Sequence, residues 1–198
     1  ALPIFNKLLM LRKILACLPA VLLVATAPIS SFAQSKTESE EKIIALTVLK
    51  KYSETVSCGS SFEEEKSVRK FLKNVYTIER DEEMGSATYF ILWDGDIGCN
   101  GGSATHSFMI SEVGRFTESR PFLVLNNDAF GEDFSKNINS RFIEKLQKIN
   151  NDKFLVVSSE HGENDANNFP SKKYQYTVDR IKFQWKVTSK KYLGKNIY

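Results

Sequence analysis

Ser86-Ala87-Thr88-Tyr89-Phe90-Ile91-Leu92-Trp93 runs directly into Asp94-Gly95-Asp96-Ile97-Gly98-Cys99-Asn100-Gly101-Gly102-Ser103-Ala104-Thr105-His106. The first eight residues are nearly continuous in apolar and β-forming types, the pattern of a central strand covered on both faces. That reading places a sheet at the centre of the fold. The next thirteen pack four glycines, two carboxylates and a cysteine into one connection. If the chain has a site, this is the first place to look.

Working outward toward the C-terminus, His106, Phe108 and Ile110 alternate with polar residues, as in a half-buried strand. Pro121 to Asn126 offers a short strand, and Asn127 to Lys136 reads as turn. Phe142, Leu146 and Ile149 share one face of a helix expected from about Asn139 to Ile149. Lys153 to Ser159 reads as a strand and Glu160 to Lys172 as a polar loop. A hairpin closes the chain: Tyr174, Tyr176 and Val178 alternate, Asp179-Arg180 is the expected turn, and Ile181, Phe183, Trp185 and Val187 alternate back. This register sets Val178 opposite Ile181 and Tyr176 opposite Phe183.

Toward the N-terminus two helices are expected. Thr37 with Glu40 fits a capping box ahead of a helix from Glu41 to Tyr52, whose apolar face carries Ile44, Val48, Leu49 and Tyr52. Ser61 with Glu64 fits a second box, followed by the stripe Val68, Phe71, Leu72, Val75. The fold class is therefore α+β, with N-terminal helices packed on a largely antiparallel sheet and one disulfide.

Residues 1–33 carry Lys7, Arg12 and Lys13, then an apolar run from Ile14 to Ala27, then Ser31-Phe32-Ala33. Basic, apolar and small-residue regions in that order read as a secretory signal peptide, with Met10 the expected true start. The apolar run is short of the roughly 20 residues a spanning helix needs, so no membrane span is expected after cleavage. Residues 34–41 read as a flexible leader and 42–198 as a single domain. Localisation is periplasmic or secreted.

The chain holds 27 basic and 24 acidic side chains, a net charge of +3. Removing the three charges of the signal peptide leaves 24 against 24, which gives no support for nucleic-acid binding. The distribution is uneven, however: residues 172–198 hold eight Lys or Arg against the single acid Asp179. One reading is a lysine-decorated edge hairpin that resists pairing; the other is a docking surface for an acidic partner.

With Cys17 in the signal peptide, Cys58 and Cys99 remain, and an even pair in an exported chain reads as a disulfide. Cys58-Gly59-Ser60-Ser61-Phe62, followed by Gly98-Cys99-Asn100-Gly101-Gly102, resembles the motif pair of papain-like cysteine proteases and supports the same pairing. The resemblance does not extend to chemistry. Ser61 stands where that family has its nucleophilic cysteine, and the mechanism requires a thiolate. A broader stretch, residues 87–188, resembles small exported bacterial domains of unknown function with a Cys-Gly-x-Gly loop and an Asp-x-x-Cys-Cys-Pro-Ser hairpin entry. Here Asp165, Pro170 and Ser171 match that entry, while Asn168 and Phe169 replace its two cysteines. The resemblance implies a periplasmic or surface module and carries over no catalytic residue.

The candidate binding residues are Asp94, Asp96, Asn100, Gly101, Gly102, Ser103, Thr105 and His106. Asp94-Gly95-Asp96 could offer oxygen ligands to a hard cation but lacks the closing acid of an EF-hand, and a turn explains the pair equally. His161, Glu163 and Asp165 share one polar loop, in which a His with two carboxylates suits acid-base work or plain solvation. No cofactor, resident metal or catalytic residue is assigned. The reading leans away from catalysis, toward an exported binding or inhibitory module with a protein or cell-envelope partner. The alternatives are a hydrolase using Asp94, Asp96, His106 or His161, and a structural envelope protein.

Overall fold

The structure, a computed structural model, describes residues 36–63, 67–99, 101–102 and 105–196. The expected signal peptide, and Glu64, Asn100 and Ser103, lie outside the described residues.

Thr37 Oγ1 accepts from Glu40 N–H while the Glu40 carboxylate accepts from Thr37 N–H, a reciprocal cap that opens helix α1, Glu38–Val56. The helix therefore takes in residues 38–41, which the sequence suggested for a flexible leader. Its buried face is Glu41, Ala45, Leu46, Leu49 and Ser53, with Ile44, Val48 and Tyr52 half-buried on the flank. Two polar residues turn inward because each finds a partner there. Glu41 accepts from Arg80 Nε at 2.8 Å, Arg115 Nη2 at 2.6 Å and the Tyr89 hydroxyl at 2.8 Å. Ser53 Oγ lies 3.3 Å from Ser60 Oγ. Burial, reinforced by the Glu41 carboxylate, holds the Tyr89 hydroxyl well above the usual tyrosine range.

After α1 come nine strands among the described residues: β1 Ser57–Ser60, β2 Val75–Asp81, β3 Ser86–Ile97, β4 Ser107–Arg115, β5 Leu123–Asn126, β6 Ile143–Asn150, β7 Lys153–Glu160, β8 Lys172–Ile181 and β9 Gln184–Lys195. Strands β1 and β2 both pair with β3, which pairs in turn with β4 and β4 with β5. Strands β6 to β9 form a second sheet in chain order, and every pairing in both sheets is antiparallel. The expected single sheet is thus two, and the fold is mostly β.

Strand β3 is the shared wall. Tyr89, Ile91 and Trp93 point to one face and meet Ala45, Leu46 and Leu49 of α1. Phe90 and Leu92 point to the other and meet Phe154, Val156, Tyr176, Val178 and Trp185 of the second sheet. Phe90 sits 5.7 Å from Trp185 and 5.6 Å from Phe130, so aromatic edges fill the inter-sheet layer. The double coverage expected from residues 86–93 is present.

Three sequence expectations give way to the structure. The helix expected at 61–75 is a 3₁₀ segment, Val68–Asn74, capped by Ser67, and Val75 already belongs to β2. Its apolar residues Val68, Phe71 and Leu72 still pack against the α1 core. The helix expected at 139–149 is a 3₁₀ turn, Ser140–Phe142, followed by β6, while helix α2 (Gly131–Asn137) forms where a turn was expected. Of the residues expected on one helical face, Phe142 ends the 3₁₀ turn, Leu146 is buried on β6 and Ile149 is exposed; a bulge between Ile143 and Lys145 puts Ile143, three residues before Leu146, on the same buried face.

The final hairpin turns at Lys182-Phe183, with Ile181 opposite Gln184, rather than at Asp179-Arg180. Val178 then faces Val187, and Tyr176 faces Lys190. Both turn residues have positive φ, 48° and 65°, in a tight connection that favours Asn-Gly. Changing Lys182→Asn with Phe183→Gly should therefore raise stability by about 1 kcal/mol, read as an upward shift in a thermal melt. A fall would show that Phe183, 88% exposed, contributes through its contact with Arg180 at 5.8 Å.

Candidate functional site

Strand β3 continues through Asp94, Gly95 and Asp96 to Ile97, so the glycine-rich connection is shorter than the sequence suggested and begins at Gly98. Gly95 is required where it stands: a Cβ there would lie 2.9 Å from the Trp93 ring and 3.0 Å from the Gly59 carbonyl oxygen. Gly98 and Cys99 then turn the chain with positive φ of 84° and 55°. Cys99 is bonded to Cys58 on β1, closing the bridge expected from the cysteine count. Since Ser57 pairs with Ile97 and Ser60 with Gly95, the disulfide staples the root of the connection to the strand that follows α1.

The expected binding residues separate into distinct roles. Asp94 and His106 come together, with His106 Nδ1 donating to Asp94 Oδ2 at 3.1 Å and half of the imidazole side chain exposed. The ring lies against Gly59, whose missing side chain leaves it room. Ser61, expected to cap a helix, instead holds Asp94 by the backbone: Ser61 N–H donates to Asp94 O at 2.9 Å and Ser61 Oγ accepts from Asp94 N–H. Asp96 is buried at 5% exposure and accepts from Gly101 N–H at 3.2 Å. Its carboxylate shapes the connection from within, a role opposite to that of an open cation ligand. Thr105 donates to the Gly102 carbonyl.

His161, Glu163 and Asp165 do not join this group. His161 Nε2 donates to the Asn167 carbonyl, and its ring meets Phe142 at 5.4 Å. Asp165 accepts from Gly162 N–H and Ser171 N–H, and these two amides hold its carboxyl below the usual range. Arg141 grips Asn167 and Asn168 through separate guanidinium nitrogens, so this loop is organised by its own hydrogen bonds.

Behind the stapled connection lies a cavity of about 340 Å³. Ile97, Phe108 and Phe134 supply its apolar lining, and Thr105, Ser107 and Ser135 supply hydroxyls. Ile97 remains 40% exposed at its mouth. Helix α2 forms one wall, because Asp128 accepts from Gly131 N–H and Ser135 Oγ and fixes the turn into it. Of these residues the sequence pointed only to Thr105. Ile97, Ser107 and Phe108 come from the ends of β3 and β4, and Phe134 and Ser135 from α2, whose seven residues are too few to show a helical period.

No helix among the described residues is long and apolar enough to cross a membrane. No protein family, curated protein or solved structure was found to match the chain.

Proposed function

We propose that this chain is an exported binding or inhibitory module that recognises a protein or cell-envelope partner through Ile97, at the root of the stapled connection, and the cavity behind it. One observation carries the reading: a disulfide and an inward carboxylate fix the connection beside an exposed isoleucine and a partly apolar cavity. Rigid presentation lowers the ordering cost of recognition, and a cavity of mixed polar and apolar lining suits an inserted side chain that carries a polar end. The basic, apolar and small-residue sequence of residues 1–33, together with the disulfide, supports export and a periplasmic or secreted location.

A photoactivatable residue at position 97, introduced in the producing cell, is expected to give one discrete adduct. The same probe at exposed Lys145, on β6, should give none. Equal adduct patterns from the two positions would refute the recognition surface. The Asp94–His106 pair favours a hydrolase as the second reading. In that case His106→Gln abolishes a turnover without changing the unfolding midpoint, and position 97 gives no stable adduct.

A further inference from the structure

Strand β9 is the outermost strand of the second sheet, and among the described residues no strand lies along its outer edge. Helix α2 meets that edge near its start: Asp133 Oδ2 accepts from Val187 N–H at 2.7 Å. A carboxylate thus already takes the place of a strand partner at one edge amide. Beyond Val187 the strand runs on to Lys195, with Thr188 through Leu193 all exposed. Bulges at Thr188 and Leu193 bracket a regular run, Ser189–Tyr192, and this edge displays backbone donors and acceptors to a segment that can lie beside it.

The charge of this edge is largely uncompensated. Lys173 and Lys190 pair with Glu144 and Glu160. Lys172, Lys186, Lys191 and Lys195 have no ion-pair partner among the described residues. The pairing places them on both sides of the sheet, since Lys191 stands opposite Gln175 and Lys186 opposite Asp179, while Lys195 stands opposite Lys172. Lysines on an edge repel a second edge of the same kind, which disfavours pairing between two copies of this strand. They attract an acidic one. Tyr192 and Leu193, 52% and 44% exposed, add apolar surface between the charges.

We infer that the edge of β9 from Thr188 to Lys195 accepts an extended acidic polypeptide segment as an added strand. Because lysines flank the edge on both faces, the matching segment carries neighbouring acids rather than acids at every second position. Main-chain hydrogen bonds hold it and the lysines select it.

The test uses the full oxidised chain and a ten-residue acetylated, amidated peptide of glutamates interrupted by valines. A lysine counterpart and a heparin fragment serve as comparisons. Saturable binding of the glutamate peptide, with slowed amide exchange at 188–195, is the expected result. Lys191→Glu with Lys195→Glu should weaken it about tenfold, whereas Lys145→Glu on β6 should leave it unchanged. A native near-ultraviolet spectrum for each variant separates lost binding from lost folding. Failure to bind at low salt, unchanged affinity in the double variant, or binding without slowed exchange would each overturn the inference. So would tighter binding of heparin with no amide protection, which would mark a surface for polyanions instead.

Discussion

Replacing Glu41 by glutamine is expected to lower unfolding stability by about 3–5 kcal/mol, read as a reduced midpoint in urea. The carboxylate is 2% exposed and is the common acceptor of Arg80, Arg115 and Tyr89. Glutamine keeps the volume and removes the charge, leaving Arg115, itself 4% exposed at its side chain, with an uncompensated guanidinium. That guanidinium has little in reserve: its Nε has no hydrogen-bond partner among the described residues, and it lies over the apolar Phe122 ring at 4.9 Å. A loss below about 1 kcal/mol would mean that water reaches the site and screens the pair as it does on a surface. The arrangement also fixes α1 in register, because Arg80 and Arg115 come from β2 and β4 on either side of β3.

Removal of the disulfide is the second large effect. Changing Cys58→Ser together with Cys99→Ser opens a link between residues 41 apart in sequence. The chain-entropy model assigns about 4 kcal/mol to a closure of that length. Equilibrium unfolding of the double variant should show this loss, and the adduct expected at position 97 should fall with it. If stability drops while the adduct persists, the glycine connection holds its shape without the bridge, and Asp96 with its acceptor role becomes the principal anchor.

Particular residues show where sequence sufficed and where it did not. Residues 86–93 announced a doubly covered strand because the run from Tyr89 to Trp93 is apolar on both faces, and Thr37 with Glu40 announced a helix start through local chemistry alone. Phe142, Leu146 and Ile149 misled because their i, i+4, i+7 spacing is that of a helix, although Phe142 ends a 3₁₀ turn and Ile149 is exposed on β6. The hairpin turn misled because alternation continues unchanged on both sides of it, so its position is set by which residues reach the core. Trp185 and Val187 must lie opposite Arg180 and Val178, and this forces Lys182 and Phe183 into the left-handed region. At the site, Cys58 with Cys99 was legible from number and compartment. The convergence of Asp94 with His106, the inward turn of Asp96 and the cavity against α2 required the paired strands to be in place.

Strand β3 gives alternate residues to the helical layer and to the inter-sheet layer, with Tyr89, Phe90, Ile91 and Leu92 taking turns. Neither layer can open without uncovering one side of the same backbone. The described fold is therefore built to melt as one cooperative unit, and strain introduced at α1 is transmitted through β3 to the root of the stapled connection. A substitution far from the proposed recognition surface can in this way alter it without touching it.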